Sequence, residues 1–241
     1  MSHQPSHFKG KDAIQHVAEK QAEGMLSSAE IHGTEVPGHI GSFADSVRDT
    51  VVVLFLIVAI NQNYHSLLFL LLGWTAWKAG RAAWLGWSRL ERLHRVLEQE
   101  KWEIDHNRLQ ERDELTELYR AKGFEGKLLN DVIDVLMADG DRLLRVMVEE
   151  ELGLSLKRLE HPIKQGFGAF LGALIPGALL LAIGHFSSPL IFVLSGFLII
   201  GLASALLAHY ARNRLIPAIV WNLAIAALAL GITYYTQLLF P

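Results

Sequence analysis

Gly166-Phe-Gly-Ala-Phe-Leu-Gly-Ala-Leu-Ile-Pro-Gly-Ala-Leu-Leu-Leu-Ala-Ile-Gly184 contains no charged side chain, and the chain stays nearly charge-free from there to its end. Between Gln165 and Pro241 the only charges are Arg212 and Arg214, while all 25 acidic residues lie between Asp12 and Glu160. A soluble domain has too little interior to hide so long an apolar tract, whereas a bilayer accepts it. A spanning helix needs about 20 mostly apolar residues. The tract divides into three such lengths: Gly166 to Gly184, closed by His185-Phe-Ser-Ser-Pro189; Leu190 to Leu207, closed by the turn at Arg212 and Arg214; and Ile216 to Phe240.

Upstream, Thr50 to Trp77 is also uncharged but is interrupted by Asn61-Gln-Asn-Tyr-His65. A single helix would bury that polar run near mid-membrane, which is costly. Two helices fit, the first beginning near Ile40 and the second running to about Trp87. With five spans, all 22 Lys and Arg residues fall on one side of the membrane or at its boundary, and the excess of basic residues marks that side as cytoplasmic. The expected architecture is therefore all-α: five transmembrane helices with a cytoplasmic three-helix insert between helices 2 and 3. Its parts are a cytoplasmic tail (1–39), transmembrane helices 1–2 (40–87), the insert (88–164) and transmembrane helices 3–5 (165–241). The tail mixes acids and bases, so no cleavable signal peptide is expected. The absence of cysteine excludes disulfides and thiolate chemistry. No basic patch interleaved with aromatics suggests a nucleic-acid partner. No nucleophile has a plausible base, so an enzyme is not expected.

The insert reads as three helices. The first continues out of the second span to Arg120 and stops at Gly123, a typical helix-ending glycine. The second covers Lys127 to Ala138, with Leu128, Leu129, Val132, Ile133 and Leu136 on one stripe, and the third covers Asp141 to Leu152. On a continuous first helix, Glu103, His106, Glu114 and Glu117 fall within an arc of about 80°, well away from its apolar stripe. Such a face ordinarily meets solvent. In the third helix, however, Glu151 continues the inward stripe of Leu144, Met147 and Val148, and an inward acid needs a partner. Carboxylates on two helices, with histidine and thioether in reach, suit a divalent transition metal. No calcium-loop spacing is present.

Asp45 and Asp49 lie one turn apart at the start of the first span. Acids there mark an ion or proton path, or else an interfacial first turn. Asp49, followed at once by Thr50-Val-Val-Val, is the deeper of the two. His209, Lys78 and Arg81 are expected at the cytoplasmic interface, where long basic side chains snorkel. Pro176 is expected to kink the third span.

Glu114-Leu-Thr-Glu-Leu-Tyr-Arg-Ala-Lys-Gly123, followed by Val146-Met-Val-Glu-Glu-Glu-Leu-Gly-Leu154, resembles the acidic and Met-rich helices of the vacuolar iron transporter family. His161-Pro-Ile-Lys before the third span, and Pro176 within it, are similar too, as is the layout of two spans, an insert and three spans. The resemblance implies a homodimeric, proton-coupled exporter of cytosolic Fe²⁺, sometimes Mn²⁺, in a bacterial inner membrane. It also implies insert metal ligands at Glu103, Glu114, Glu117, Met147 and Glu151, with Glu150 beside them. His106 stands where the family tends to have another glutamate, and Asp49 matches its first-span aspartate. The second span departs from the family pattern: Thr75-Ala-Trp-Lys-Ala-Gly-Arg-Ala-Ala-Trp-Leu-Gly-Trp-Ser88 has neither methionine nor acid but two cations. Positive charge there raises the barrier to a cation. It leaves open a second reading, a membrane-anchored metal-binding or regulatory protein that does not transport.

Overall fold

The computed structural model describes residues 36–60, 64–151 and 160–239, apart from the side chains of Tyr64 and Glu151. Residues 1–35 of the N-terminal tail, the centre of the break at Asn61-Gln-Asn63 and the Leu-Gly-Leu of the second family motif lie outside the described residues. The described residues are helical with no strand. They form α1 (Gly38–Ile60), α2 (Tyr64–His106), α3 (Arg108–Ala121), α4 (Gly126–Met137), α5 (Gly140–Val146, running into a π-helical turn, Met147–Glu151), α6 (Pro162–Phe186), α7 (Pro189–Tyr210) and α8 (Leu215–Leu239). The chain divides into two compact units, the boundaries falling at Ser88/Arg89 and Leu159/Glu160.

The larger unit holds α1, the first part of α2, and α6 to α8. Among the described residues, α6, α7 and α8 are long and apolar enough to cross a membrane, at 25, 22 and 25 residues. At about 1.5 Å per residue each exceeds the hydrocarbon thickness. Local chemistry sets their ends. Pro162 and Pro189 occupy first-turn positions where a missing N–H is harmless, and Ser188 Oγ accepts from Ile191 N at 3.5 Å. Arg212, at φ 52°, makes the left-handed turn between α7 and α8. Pro176 sits inside α6 and removes the hydrogen bond that the Gly172 carbonyl would otherwise accept.

α1 and α6 pack closely and in parallel. A Cβ at Gly168 would strike the carbonyl of His39, and one at Gly172 the carbonyl of Phe43, so the same register repeats one turn along. Small residues at this spacing let two backbones touch, a frequent means of helix association in lipid. Below this seam the His39 amide donates to Glu160 Oε2 at 2.7 Å, and the His39 ring and Lys164 also hold Glu160. The core draws on all five helices, through Val51, Leu54 and Phe55, Leu67 and Leu71, Leu180 and Leu181, Phe192 and Ile200, and Ala226. Phe55 packs edge-on to Phe192 and against Phe197, with ring centroids 5.8 and 5.3 Å apart. The opposite faces of α7 and α8 expose Leu190, Leu194, Leu198 and Leu202, and Val220, Trp221, Leu228 and Ile232. Water would not tolerate so broad an apolar surface; lipid does.

The smaller unit begins at Arg89. Its core comprises Ile104, Leu115, Leu118, Leu129, Ile133, Met137, Leu143 and Met147. Asp139 caps α5, accepting from the amides of Asp141 and Arg142 at 3.0 and 3.2 Å. Gly123, at φ 92°, ends α3, and the amide of Phe124 returns to the Tyr119 carbonyl at 3.2 Å. One expectation fails here: α2 does not run straight to Arg120. It breaks at Asn107 (φ −122°, ψ 32°), whose amide closes α2 on Glu103 at 2.7 Å and whose carbonyl accepts from Gln110 and Glu111 at 2.8 and 3.2 Å. Asparagine favours such a position because its side chain competes with helical hydrogen bonding.

Candidate functional site

The break at Asn107 builds the site. In a straight helix Glu100 and Glu111 would be about 16 Å apart along the axis, eleven residues at roughly 1.5 Å each. Instead, carboxylate oxygens of Glu100, Glu103 and Glu111 all lie within 4.8 Å of one another. The three are 2%, 8% and 0% exposed. Gln99 Nε2 donates to Glu103 Oε1 at 3.0 Å and fixes that side chain. Buried carboxylates in such proximity repel strongly in a medium of low effective dielectric, and a divalent cation relieves that repulsion. Three hard oxygen donors suit Mn²⁺, Fe²⁺, Mg²⁺ or Ca²⁺ chemically.

The acidic face expected to meet solvent is therefore partly interior. Glu111 and Glu114, at 0% and 2% exposed, share the buried side of α3 with Leu115 and Leu118. The remaining expected ligands scatter. His106 is exposed, its ring stacked on Trp102 with Nδ1 2.8 Å from the Trp102 carbonyl oxygen, and it is not in the three-carboxylate cluster. Glu117 is bound by Arg120 and Glu150 by Lys122. Met147 is buried in the core of the unit, at the start of the π-helical turn. The Glu151 side chain lies outside the described residues. Glu100 and Glu111 were missed because the helical-wheel count carried one periodicity across Asn107. The sequence did contain a signal: Asn107 with Gln110 three residues on resembles a helix-start pair. Nearby, burial pushes the Tyr119 hydroxyl above its usual pKa of 10.0, and the negative charge of Glu150 adds to the shift.

In the larger unit, Asp45 is bound by Arg48, which also donates to Asn222 Oδ1 at 3.0 Å. Asp49 pairs with Lys78, Nζ to Oδ2 2.7 Å. Lys78 was expected to snorkel at an interface, but its side chain is only 7% exposed. The reason is the carboxylate on α1: a buried ammonium is tolerated where it has an anion to pair with. Arg81 is exposed. Arg48 and Asp49, with Trp74, Ile200 and Asn222, line a cavity of about 430 Å³. His39 and Lys164 oppose burial at Glu160. Burial alone would raise its pKa, but hydrogen bonds from the His39 amide and ring and from Lys164, with the charge of His39, leave the carboxyl below the usual 4.5.

A bundle of apolar membrane helices joined to a separate unit with a buried carboxylate cluster defines an integral membrane protein equipped to handle metal cations. The chain belongs to the VIT family, whose model matches residues 68–237. Family membership makes it a membrane metal-ion transport protein rather than an enzyme, with metal ions as its substrates. Asp45 and Asp49 precede the matched residues. Among curated proteins none matches.

Proposed function

We propose that the chain exports a divalent transition metal, Fe²⁺ or Mn²⁺, from the cytoplasm, exchanging it for protons as a homodimer in a bacterial inner membrane. The observation that carries this reading is the buried cluster of Glu100, Glu103 and Glu111 in a member of a metal-transport family. The smaller unit is the cytoplasmic collecting site. Glu114 and Met147 complete its donor set, with Glu117 and Glu150 as an outer acidic fringe through which the ion approaches. His106 takes no part.

Five spans are supported by the parallel register of α1 and α6. Two parallel helices enter from the same side, so α2 must return across the membrane between them. That returns the chain to the cytoplasmic side before residue 89 and again at the Arg212 turn, in keeping with the basic bias of those segments. Asp49, beside a cavity in the larger unit, is the carboxylate of the membrane path, and Asp45 lies one turn nearer its entrance.

One observation favours the non-transporting reading: a cation, Lys78, is already seated on Asp49. Flux separates the two. Proteoliposomes holding the full chain should accumulate or release Mn²⁺ at a rate that depends on an imposed proton gradient, and Glu103→Gln with Glu111→Gln should slow that rate at low metal. Metal binding without any flux, under gradients of either sign, would leave the membrane-anchored binding protein as the function.

A further inference from the structure

Asp49 has two faces. One is on Lys78, at 2.7 Å from Nζ to Oδ2, and the other is open: the side chain is 53% exposed and lines the cavity of about 430 Å³. A cation entering that cavity therefore meets a carboxylate that already has a counter-ion. Lys78 is the cation on Asp49 because Arg48 is bound elsewhere, to Asp45, to Asn222 and to the Ala44 carbonyl. The seating of Lys78 is also built. One turn earlier on α2, Trp74 Nε1–H donates to Thr50 Oγ1 at 3.0 Å, and Thr50 is the neighbour of Asp49. That bond fixes α1 against α2 and holds the register in which the ammonium meets the carboxylate.

The two helices that carry the pair also hold two buried hydroxyls close to it in sequence. Ser46, one turn from Asp49, and Thr75, one turn from Lys78, are 1% and 2% exposed, and their hydroxyl oxygens are buried without a hydrogen-bond partner. Serine and threonine in a helix ordinarily return their hydroxyl to the carbonyl four residues back. Buried hydroxyls without a partner are uncommon in a helix core and carry a desolvation cost that a water molecule would relieve.

We propose that Lys78 is a specificity-determining residue of the path, a tethered cation that occupies Asp49 and yields to divalent but not to monovalent ions. The inference rests on the reading that Asp49 lies in the path. An ammonium held by the chain competes at high local concentration, because its alternative is burial without a partner. A monovalent ion brings the same charge as Lys78 and gains nothing by replacing it. A divalent ion brings twice the attraction to the same carboxylate. Occupancy by Lys78 also raises the apparent KM by the inverse of the fraction of time Asp49 is free.

The test is Mn²⁺ flux by the full chain in proteoliposomes, with choline or potassium as the background cation at constant ionic strength. Wild type should show the same KM in both. Lys78→Gln should lower KM in choline about tenfold, as expected if Asp49 is free roughly a tenth of the time, and potassium should raise it again. Lys78→Met, which keeps an unbranched side chain only one atom shorter and suits the apolar surroundings, should behave in the same way, and Lys78→Arg should restore the wild-type KM and its indifference to potassium. The inference is overturned if the neutral variants keep the wild-type KM and stay indifferent to potassium, or if Lys78→Arg shifts as they do, which would make geometry rather than charge the determinant. Wild type that moves no Mn²⁺ overturns the proposed function as well; wild type that moves it, with neutral variants indistinguishable from it, overturns this inference alone.

Discussion

Leu143→Ala tests whether the acidic cluster rests on a cooperative core. Leu143 is 0% exposed and packs in the cluster formed with Ile104, Leu115, Leu118, Leu129, Ile133, Met137 and Met147. Truncation removes three buried carbons at about 0.8 kcal/mol each, or about 2.4 kcal/mol. The void left among neighbours from four helical segments raises this to about 3–4 kcal/mol. A unit of roughly 60 residues has a stability of about 3–9 kcal/mol, so the variant should lose a third or more of it. The assay is hydrogen exchange on the full chain in detergent, read segment by segment. Amides of residues 104–147 should exchange a hundredfold or more faster, while those of residues 162–186 and 189–210 remain at wild-type protection. A loss of less than about 1 kcal/mol, or exchange limited to α5, would refute the idea that these helices form one cooperative core.

Gly172→Leu should lower the thermal stability of the detergent-solubilised chain by several degrees, because the side chain would drive α6 off the Phe43 carbonyl. Gly231→Ala, where nothing lies within 4 Å, should be neutral or slightly stabilising. Glu160 gives a pH dependence of known sign: its folded pKa lies below the usual 4.5, so its contribution is complete above that pH and fades as the pH falls through the folded value. In unfolding measured against pH, Glu160→Gln should therefore lose stability above pH 4.5 and converge on wild type in acid. Equal destabilisation at all pH values would contradict the His39 and Lys164 pairing.

The three C-terminal helices were legible because their signals are local: Gly166–Gly184 as read against Pro162–Phe186 as found, and a proline or charged turn at each boundary. The helix-ending role of Gly123 was legible for the same reason. The acidic cluster was not. A helical wheel assumes one axis, and a single residue, Asn107, changes that axis without a proline or glycine to announce it. The burial of Glu111 and Glu114 is a tertiary fact, since their charge points to solvent until the fold is known. Lys78 shows the same limit from the other direction. Its sequence position suggests snorkelling, and only the packing of α2 beside α1 reveals that Asp49 is within reach.

The most direct test of the account is a titration of the full chain in detergent with Mn²⁺, followed by electron paramagnetic resonance of the free and bound ion. Wild type and His106→Ala should bind with the same affinity, since the His106 ring is stacked on Trp102. Glu100→Gln, Glu103→Gln and Glu111→Gln should each weaken binding by at least about ten- to a hundredfold, the loss typical even of the outer groups that only orient metal ligands. Undiminished affinity in the three glutamine variants, or loss of binding in His106→Ala alone, would contradict the assignment of the metal to the carboxylates gathered at the Asn107 break.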